Sequence, residues 1–394
     1  MIETIKTKAM EHHSYMVGVR RHLHRNPEVS FYEFDTTEFI CRELEKMGLK
    51  PERPLETGCV ALIEGSKQGK TIALRADIDA LAMEEEGEIK AEFTSQKTGA
   101  AHCCGHDAHT ANLLGAARIL CDLKDQIEGR VVLVFQPAEE KLPGGARMIT
   151  RSGILQKYGV DEIYGLHTSP GYTPGEVAVK PGAFMACTVE FEAELIGKGG
   201  HAAAPHHSVD PVVMAAQAVT AFQTVVSRST DPNEPAVLTV GKIEGGSAHN
   251  IIPERVKLKG TVRAFSMETA REIKKRMEAI LEGVAVAAGG SYTFHFDEGY
   301  PAVVNDENCT TRLIQVAHEL LGEEQVITMK NPLMAGEDFA FYQQEFPGAF
   351  FFLGSGSDEA DSRWSWHHPR YNVDEKALIT GACMLAGLIL IRPI

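Results

Sequence analysis

Six side chains of the kinds that bind transition metals lie in four separated segments of this 394-residue sequence. They are one thiol, three imidazoles and two carboxylates: Cys104, His106, Glu139, Glu140, His167 and His367. A single tetrahedral metal ion takes four ligands, so this set is larger than one ion can use. The inventory therefore predicts a centre of two metal ions, which hydrolases use to activate water.

The densest of these segments places Cys104 two residues before His106, with Gly105 between them. A loop that contains glycine can turn both donors toward one point, and a thiolate with an imidazole suits zinc and related metals. Taken alone, the pair could equally be a buried thiol and a helix-capping histidine. His109 is expected to open a helix, and to cap or pack rather than bind metal.

The adjacent carboxylates Glu139 and Glu140 closely follow a hydrophobic strand pattern that ends at Phe135. One of two such neighbours can bind metal while the other takes a proton from a bound water. The alternative is the acidic first turn of a helix, where carboxylates interact with the positive end of the helix dipole. Asp79 also follows a strand pattern and is predicted to orient a ligand or the base by a hydrogen bond; its alternative is a solvated turn.

The remaining candidates lie in loops and strands further along the chain. Only one of His367 and His368 need bind metal, and their aromatic, proline-flanked loop could be plain packing. His201 follows a glycine cluster at the end of a strand pattern, which predicts an exposed tip where a core histidine would be unusual. Asn250 and Arg263 carry weak signals by themselves.

The first part of the chain alternates helical and strand patterns, which predicts a sheet sandwiched by helices. The spacing predicts helices over 20–48 and 110–123, and strands over 59–64, 71–76 and 130–135. Candidate ligands follow these strands, as expected for sites at the carboxyl ends of strands in α/β sheets.

From Phe184 the pattern changes to βαββαβ, the element order of a ferredoxin-like domain. The predicted elements are a strand at 187–196, a helix at 210–227, strands at 236–243 and 255–265, a helix at 267–288 and a strand at 291–296. The length also exceeds that at which single cores usually stop growing. The sequence therefore predicts a two-domain α/β protein. A discontinuous catalytic, metal-binding domain (1–182 and 298–394) is interrupted by a lid and dimerisation domain (183–297).

Charge and composition exclude several classes of partner. The formal net charge of −15 argues against a nucleic acid or an anionic membrane surface as the main partner. The amino terminus has an early acid and no apolar run behind it, so neither a signal peptide nor a membrane anchor is predicted. Apart from Cys103 and Cys104, the cysteines are scattered through apolar or helical stretches, as reduced cysteines are. The expected location is the cytoplasm.

Over essentially its whole length the chain resembles the aminoacylase, carboxypeptidase G and hippurate hydrolase family of dinuclear metallohydrolases. Within that family it is most similar to the amidohydrolase branch, which includes indoleacetyl-amino-acid hydrolases and bacterial N-acetyl-diaminopimelate deacetylases. The motifs that carry the resemblance are 21–28, 74–81, 104–107, 136–140, 197–201, 249–253, 260–263, 336–339 and 367–371. Three positions depart from the family pattern: Cys103, Ala82 and Ala101 stand where the family commonly has alanine, proline and methionine. The first of these places a second thiol directly beside Cys104.

The resemblance implies five metal ligands, Cys104, His106, Glu140, His167 and His367, and two divalent ions, zinc first, with manganese, nickel or cobalt as alternatives. It places the Cys104 thiolate between the two ions and makes Glu139 the general base. It implies that His201 binds the substrate or its oxyanion, usually across a homodimer, and that Asn250 and Arg263 bind the substrate carboxylate.

The implied reaction is hydrolysis of an N-acyl amino acid, with an acetyl, benzoyl or similar acyl group. A dipeptidase or exopeptidase with the same metal centre is the first alternative, and a noncatalytic binding protein that retains the fold is the second. A disulfide oxidoreductase is disfavoured, because Cys103 and Cys104 are adjacent and not separated by two residues.

Overall fold

The computed structural model describes residues Met1–Arg392, which form two compact units. The large unit comprises Met1–Phe184, Val304–Pro332 and the chain from Asp338 onward, and the small unit comprises Met185–Val303 and Leu333–Glu337. The short second segment joins the small unit because the Ala186 amide donates hydrogen bonds to the carbonyls of Leu333 and Ala335, both at 3.0 Å. The small unit therefore extends beyond the range 183–297 expected from the sequence.

The strands are β1 Cys59–Glu64, β2 Lys67–Asp77, β3 Glu128–Gln136, β4 Glu162–Ser169, β5 Val177–Val179, β6 Gly182–Met185, β7 Cys187–Ile196, β8 Gly200–His201, β9 Ala236–Gly245, β10 Ile251–Ile252, β11 Arg255–Ala264, β12 Ser291–Glu298, β13 Val303–Asn305, β14 Val326–Thr328 and β15 Gly348–Gly354. The helices are α1 Ile2–Glu11, α2 His13–Arg25, α3 Phe34–Lys46, α4 His106–Asp122, α5 Gly145–Ser152, α6 Ile154–Tyr158, α7 Pro211–Thr224, α8 Met267–Ala288, α9 Glu307–Leu321, α10 Ala340–Gln343 and α11 Ala377–Leu390. None of the helices within residues 1–392 is long and apolar enough to cross a bilayer.

The large unit is built on a seven-stranded sheet in the order β1-β3-β2-β4-β15-β5-β14. Strands β3, β2, β4 and β15 run parallel, so their carboxyl ends share one edge. Their central residues are buried and apolar, as expected for strands covered on both faces. This confirms the predicted α/β class and gives loops after β2, β3 and β4 a common edge.

Helix α4 is the central helix of the large unit, and it packs against α2, α11 and β2. It is buried from His106 to Ala117. A β-carbon at Gly115 would lie 2.2 Å from the Met16 sulfur, so the absence of a side chain permits the close approach of α2. Helix α4 starts at His106, four residues before the predicted start, because the glycine turn before it already sets the helix direction.

The helical pattern over 20–48 is divided between two helices, since α2 ends at Arg25 and α3 begins at Phe34. The break has a local cause. Pro27 disfavours a helical conformation in the residue before it, and Asn26 lies outside the helical region at φ −122° and ψ 51°.

The small unit contains a four-stranded antiparallel sheet in the order β12-β7-β11-β9, packed against α7 and α8. With the chain order β7, α7, β9, β11, α8, β12, this is the predicted ferredoxin-like arrangement. Helix α8 covers the predicted range because both ends are capped. The Ser266 hydroxyl accepts from the Thr269 amide at 3.1 Å, and Gly289 at φ +73° ends the helix.

Candidate metal centre

The candidate ligands of the large unit come together, although four separate segments supply them. Donor atoms lie within 4.8 Å of one another in three overlapping groups: Cys104, His106 and His167; Cys104, Glu140 and His367; and His106, Glu139 and Glu140. Cys104, His106 and Glu140 each belong to two of these groups. The structure thus brings five predicted ligands and the predicted base to one place, with Cys104 between two sets of donors.

The turn at Gly105 directs Cys104 and His106 to the same point. Gly105 has φ +97°, and a β-carbon there would lie 2.3 Å from the Thr168 hydroxyl and 2.8 Å from the Tyr371 hydroxyl. Only glycine fits this backbone conformation and this space. His106 becomes the first residue of α4, while the Cys104 sulfur lies 3.3 Å from Nε2 of His167.

His106 presents one ring nitrogen to the centre and uses the other to hold its orientation. Its Nδ1 lies 3.1 Å from Oδ1 of Asp79, whereas its Nε2 is buried and has no hydrogen-bond partner among the described residues. Asp79 is itself buried, and it accepts from the Ser30 hydroxyl at 2.7 Å and the Glu140 amide at 3.0 Å. A carboxylate in this position fixes the imidazole tautomer that leaves Nε2 free for a metal.

His167 lies within β4, two residues before the end of the strand. In contrast, Glu139 and Glu140 lie after the end of β3. Its Nδ1 donates to the Thr168 carbonyl at 2.8 Å, and the edge of the Trp366 ring lies against it with centroids 5.1 Å apart. Burial holds the pKa of His167 well below its usual value. The imidazole is therefore neutral, the form that binds metal.

The carboxylate pair follows a strained turn after β3. Ala138 has φ +51°, a left-handed conformation that alanine seldom adopts. Its amide donates to Oε1 of buried Glu33 at 2.8 Å. Because α5 begins only at Gly145, Glu139 and Glu140 do not form the first turn of a helix. Glu139 is buried, and Oε1 of Glu140 lies 3.1 Å from Nε2 of His367.

Of the two adjacent histidines, His367 is the one in the donor cluster. Its backbone lies at φ +64°, and its amide donates to the Cys103 carbonyl at 2.8 Å. His368 instead stacks on Trp364 with centroids 4.4 Å apart, and its Nδ1 accepts from the Arg370 amide at 3.0 Å. His368 thus packs its own loop.

His109 forms hydrogen bonds to residues next to the donor cluster. Its Nδ1 donates to Oδ1 of Asp77 at 2.6 Å, and its Nε2 accepts from the Thr168 amide at 2.9 Å. Both nitrogens are therefore used, as expected for a histidine that packs. The Cys103 sulfur points to the Pro369 carbonyl at 3.9 Å, and this thiol is in none of the three donor groups.

Sequence reasoning missed several residues that hold the donors: Ser30, Glu33, Thr168, Trp366 and Tyr371. Trp366 and Tyr371 flank the adjacent histidines His367 and His368, and these aromatic residues were only a weak indication of a site in the sequence. Ser30 and Glu33 lie in an ordinary helix connection, far from the ligands in sequence. No local pattern marks them.

The electrostatics of the cluster fit divalent cations. Burial alone would lower the pKa of His106, but the carboxylates of Asp77 and Asp79 outweigh it and raise this pKa to about 10. Burial, with the charges of Glu140 and Glu139, raises the pKa of the Cys104 thiol well above its usual value. The cluster thus carries excess negative charge that protons or cations must compensate. Thiolate, imidazole and carboxylate donors around the free Nε2 of His106 suit zinc-like ions.

We expect Asp79→Asn to lower zinc affinity about 10-fold to 100-fold, the usual effect of removing an outer partner of a ligating histidine. The amide cannot accept from His106, Ser30 and the Glu140 amide as the carboxylate does. Zinc titration against a competing chelator measures the change. Asp125→Asn, at an exposed carboxylate, is the control, and equal affinities in both variants would contradict the role of Asp79.

The three candidate substrate-binding residues lie in the small unit. His201 in β8 pairs with Ile251, and the Ala202 amide donates to the Asn250 carbonyl at 3.1 Å, so His201 and Asn250 are neighbours and both are exposed. Arg263 is half-buried near the far end of β11, where burial lowers its pKa. Because β11 begins at Arg255 and rises ~3.4 Å per residue, one copy does not bring Arg263 to Asn250.

Three comparisons with known proteins agree on the family to which this chain is similar. Residues 73–391 match the model of peptidase family M20/M25/M40. The chain is 43% identical to an N-acetyl-L-cysteine deacetylase of Bacillus subtilis (strain 168), covering 94% of this chain and 86% of that protein. It is 41% identical to an IAA-amino acid hydrolase of Arabidopsis thaliana, with coverages of 95% and 84%. A crystal structure of a dinuclear metal-binding peptidase of this family from Bacillus subtilis has TM-score 0.83 and 33% identity, with coverages of 97% and 98%.

Proposed function

This chain belongs to peptidase family M20/M25/M40, and we propose that it is a metal-dependent amidohydrolase that cleaves N-acyl amino acids. The products are a carboxylic acid and a free amino acid. The observation that carries this function is the convergence of Cys104, His106, Glu140, His167 and His367 around one point, with a buried carboxylate beside them. Relatives named as an N-acetyl-L-cysteine deacetylase and as an IAA-amino acid hydrolase support the substrate class.

Two divalent ions held by this donor set would polarise the amide carbonyl and acidify a water molecule. Zinc is our proposal for their identity, because thiolate, imidazole and carboxylate are the donors that bind zinc in proteins; manganese, nickel and cobalt are the alternatives. Cys104 would be available as a ligand to either ion, since its sulfur is in both three-residue groups that contain a thiol.

We propose that Glu139 carries a proton from the attacking water to the leaving amine. It is buried and lies in one donor group with His106 and Glu140, so its carboxylate can reach a water in the centre. Its carboxylate takes a proton from the water while the water oxygen forms a bond to the amide carbon. The carbon–nitrogen bond then breaks, and Glu139 gives the proton to the leaving amine. Asp79 takes no proton in this scheme; it holds the His106 ring.

We propose that His201 binds the substrate or its oxyanion and that Asn250 and Arg263 bind the substrate carboxylate. His201 and Asn250 are separated from Arg263 along the small unit. We therefore propose that two copies of the chain together supply these three residues to one active site. A homodimer is supported by apolar side chains on the small-unit surface, Val212 and Val213 of α7 and Val237 and Ile243 of β9. Strand β9 is also an outer strand of its sheet, with an edge open to pairing.

The cytoplasm is our proposal for location. All eight cysteines carry free thiols, including the catalytic-centre Cys104, and a reducing compartment keeps them so.

A panel of substrates tests the function. We expect the zinc-loaded protein to hydrolyse N-acetyl and N-benzoyl amino acids, and to lose this activity after removal of metal by a chelator. Dipeptides tested in parallel examine the second candidate, an exopeptidase, which the peptidase of known structure favours. Faster hydrolysis of dipeptides would establish that candidate, and inactivity on the whole panel with two ions bound would contradict both.

A further inference from the structure

Lys90 is a buried lysine whose three ammonium protons all have acceptors. Its side chain is 1% exposed. Its Nζ donates to Oε2 of Glu85 at 2.6 Å, to the Tyr371 carbonyl at 3.0 Å and to the Pro369 carbonyl at 3.3 Å. Lysine is seldom buried, because its charge loses hydration unless partners replace the water. A fully partnered ammonium in such a place holds its acceptors in fixed positions.

Two of these acceptors belong to the loop that carries His367. Pro369 and Tyr371 follow His367 by two and four residues, and the Pro369 carbonyl also accepts from the Glu86 amide at 2.8 Å. His367 itself has φ +64°. A residue other than glycine keeps a left-handed conformation only where its surroundings enforce it. The segment around Lys90 therefore helps to impose the conformation that turns His367 toward Glu140.

The other acceptor of Lys90 connects this loop to the start of α4. Glu85 also accepts from Nε2 of His24 at 2.9 Å, and Nδ1 of His24 donates to Oδ2 of Asp107 at 2.8 Å. Glu85, His24 and Asp107 are all buried. Asp107 directly follows His106 at the start of α4. Asp107, His24, Glu85 and Lys90 thus form a buried series of hydrogen-bonded groups of alternating charge. The series begins in α4 and ends at Lys90, next to the loop that carries His367.

We propose that Lys90 is a positioning residue that holds the His367 loop and thereby sets the affinity for the metal ion bound by Glu140 and His367. This inference rests on the proposed two-metal function. The Nζ hydrogen bonds of Lys90 go to Glu85 and to two carbonyls, and to none of the five proposed ligands. It acts through the Pro369 and Tyr371 carbonyls.

Zinc titration of the variant Lys90→Met against a competing chelator tests the proposal. We expect one equivalent to bind as in the unchanged protein and the other to bind at least about 10-fold more weakly, the lower range for loss of an outer partner. Cobalt substitution should still give the absorption of a cobalt–thiolate bond, because Cys104, His106 and His167 keep their positions. Lys90→Gln retains two N–H donors and should give an intermediate loss. It also serves as the test if Lys90→Met does not fold.

Lys97→Met is the matched control, since Lys97 is partly exposed and pairs with Glu28 at 3.4 Å. Two equivalents at unchanged affinity in Lys90→Met would overturn the proposal. Equal weakening of both equivalents, or loss of the cobalt–thiolate absorption, would also overturn it, because that is general destabilisation. Fewer than two equivalents in the unchanged protein would instead contradict the proposed function.

Discussion

Replacing Glu139 by Gln is expected to reduce kcat by about 10²-fold to 10⁴-fold, the contribution of a positioned general base, with both metal ions still bound. Glutamine has the shape of glutamate but cannot take a proton from water or return it to the leaving amine. The change leaves Cys104, His106, Glu140, His167 and His367 in place. Initial rates on an N-acetyl amino acid and the zinc content of the same sample measure the two outcomes.

Glu140→Gln is the matched control for this variant, because it changes the adjacent carboxylate in the same way. Oε1 of Glu140 lies 3.1 Å from Nε2 of His367, which makes it a proposed ligand and not the base. We expect weaker metal binding from Glu140→Gln and intact metal binding from Glu139→Gln. Substantial turnover by a fully loaded Glu139→Gln enzyme would remove Glu139 from its role.

Replacing Cys104 by Ala is expected to weaken both metal sites, since the sulfur lies in both of the groups that contain a thiol. The loss of affinity should exceed about 100-fold, because even an outer partner of a ligand contributes ~10-fold to 100-fold. Turnover at limiting zinc should fall with it. Equilibrium zinc binding and activity across a range of added zinc would show both effects.

Cys103→Ala tests whether the correct thiol of the adjacent pair has been chosen. Burial raises the pKa of Cys103 to about 12, and its sulfur points to the Pro369 carbonyl, not to the donor groups. We expect near-normal zinc affinity from this variant. Loss of zinc from Cys103→Ala with retention in Cys104→Ala would reverse the assignment.

Local patterns predicted most of the elements because each depends on few neighbouring residues. Strand β1 and helix α8 occupy their predicted ranges, and the ferredoxin-like order of the small unit follows from alternation and helix caps. The helical pattern over 20–48 spans parts of both α2 and α3 and does not show the break between them, which Pro27 favours locally. The start of α4 was also displaced, because the turn at Gly105 depends on Thr168 and Tyr371, which lie far away in sequence.

The sequence by itself determined the donor types, the α/β class and the family resemblance, because these reside in residue identity and short-range spacing. Only the tertiary structure decided how each donor is held. Asp79 fixes one nitrogen of His106 and leaves the other free. His368 packs on Trp364 while His367 faces Glu140. The series of hydrogen-bonded groups from Asp107 to Lys90 joins segments as far apart as His24 and Tyr371. Such contacts arise from burial of polar groups, which must find partners wherever the fold brings them, and no local pattern encodes those partners.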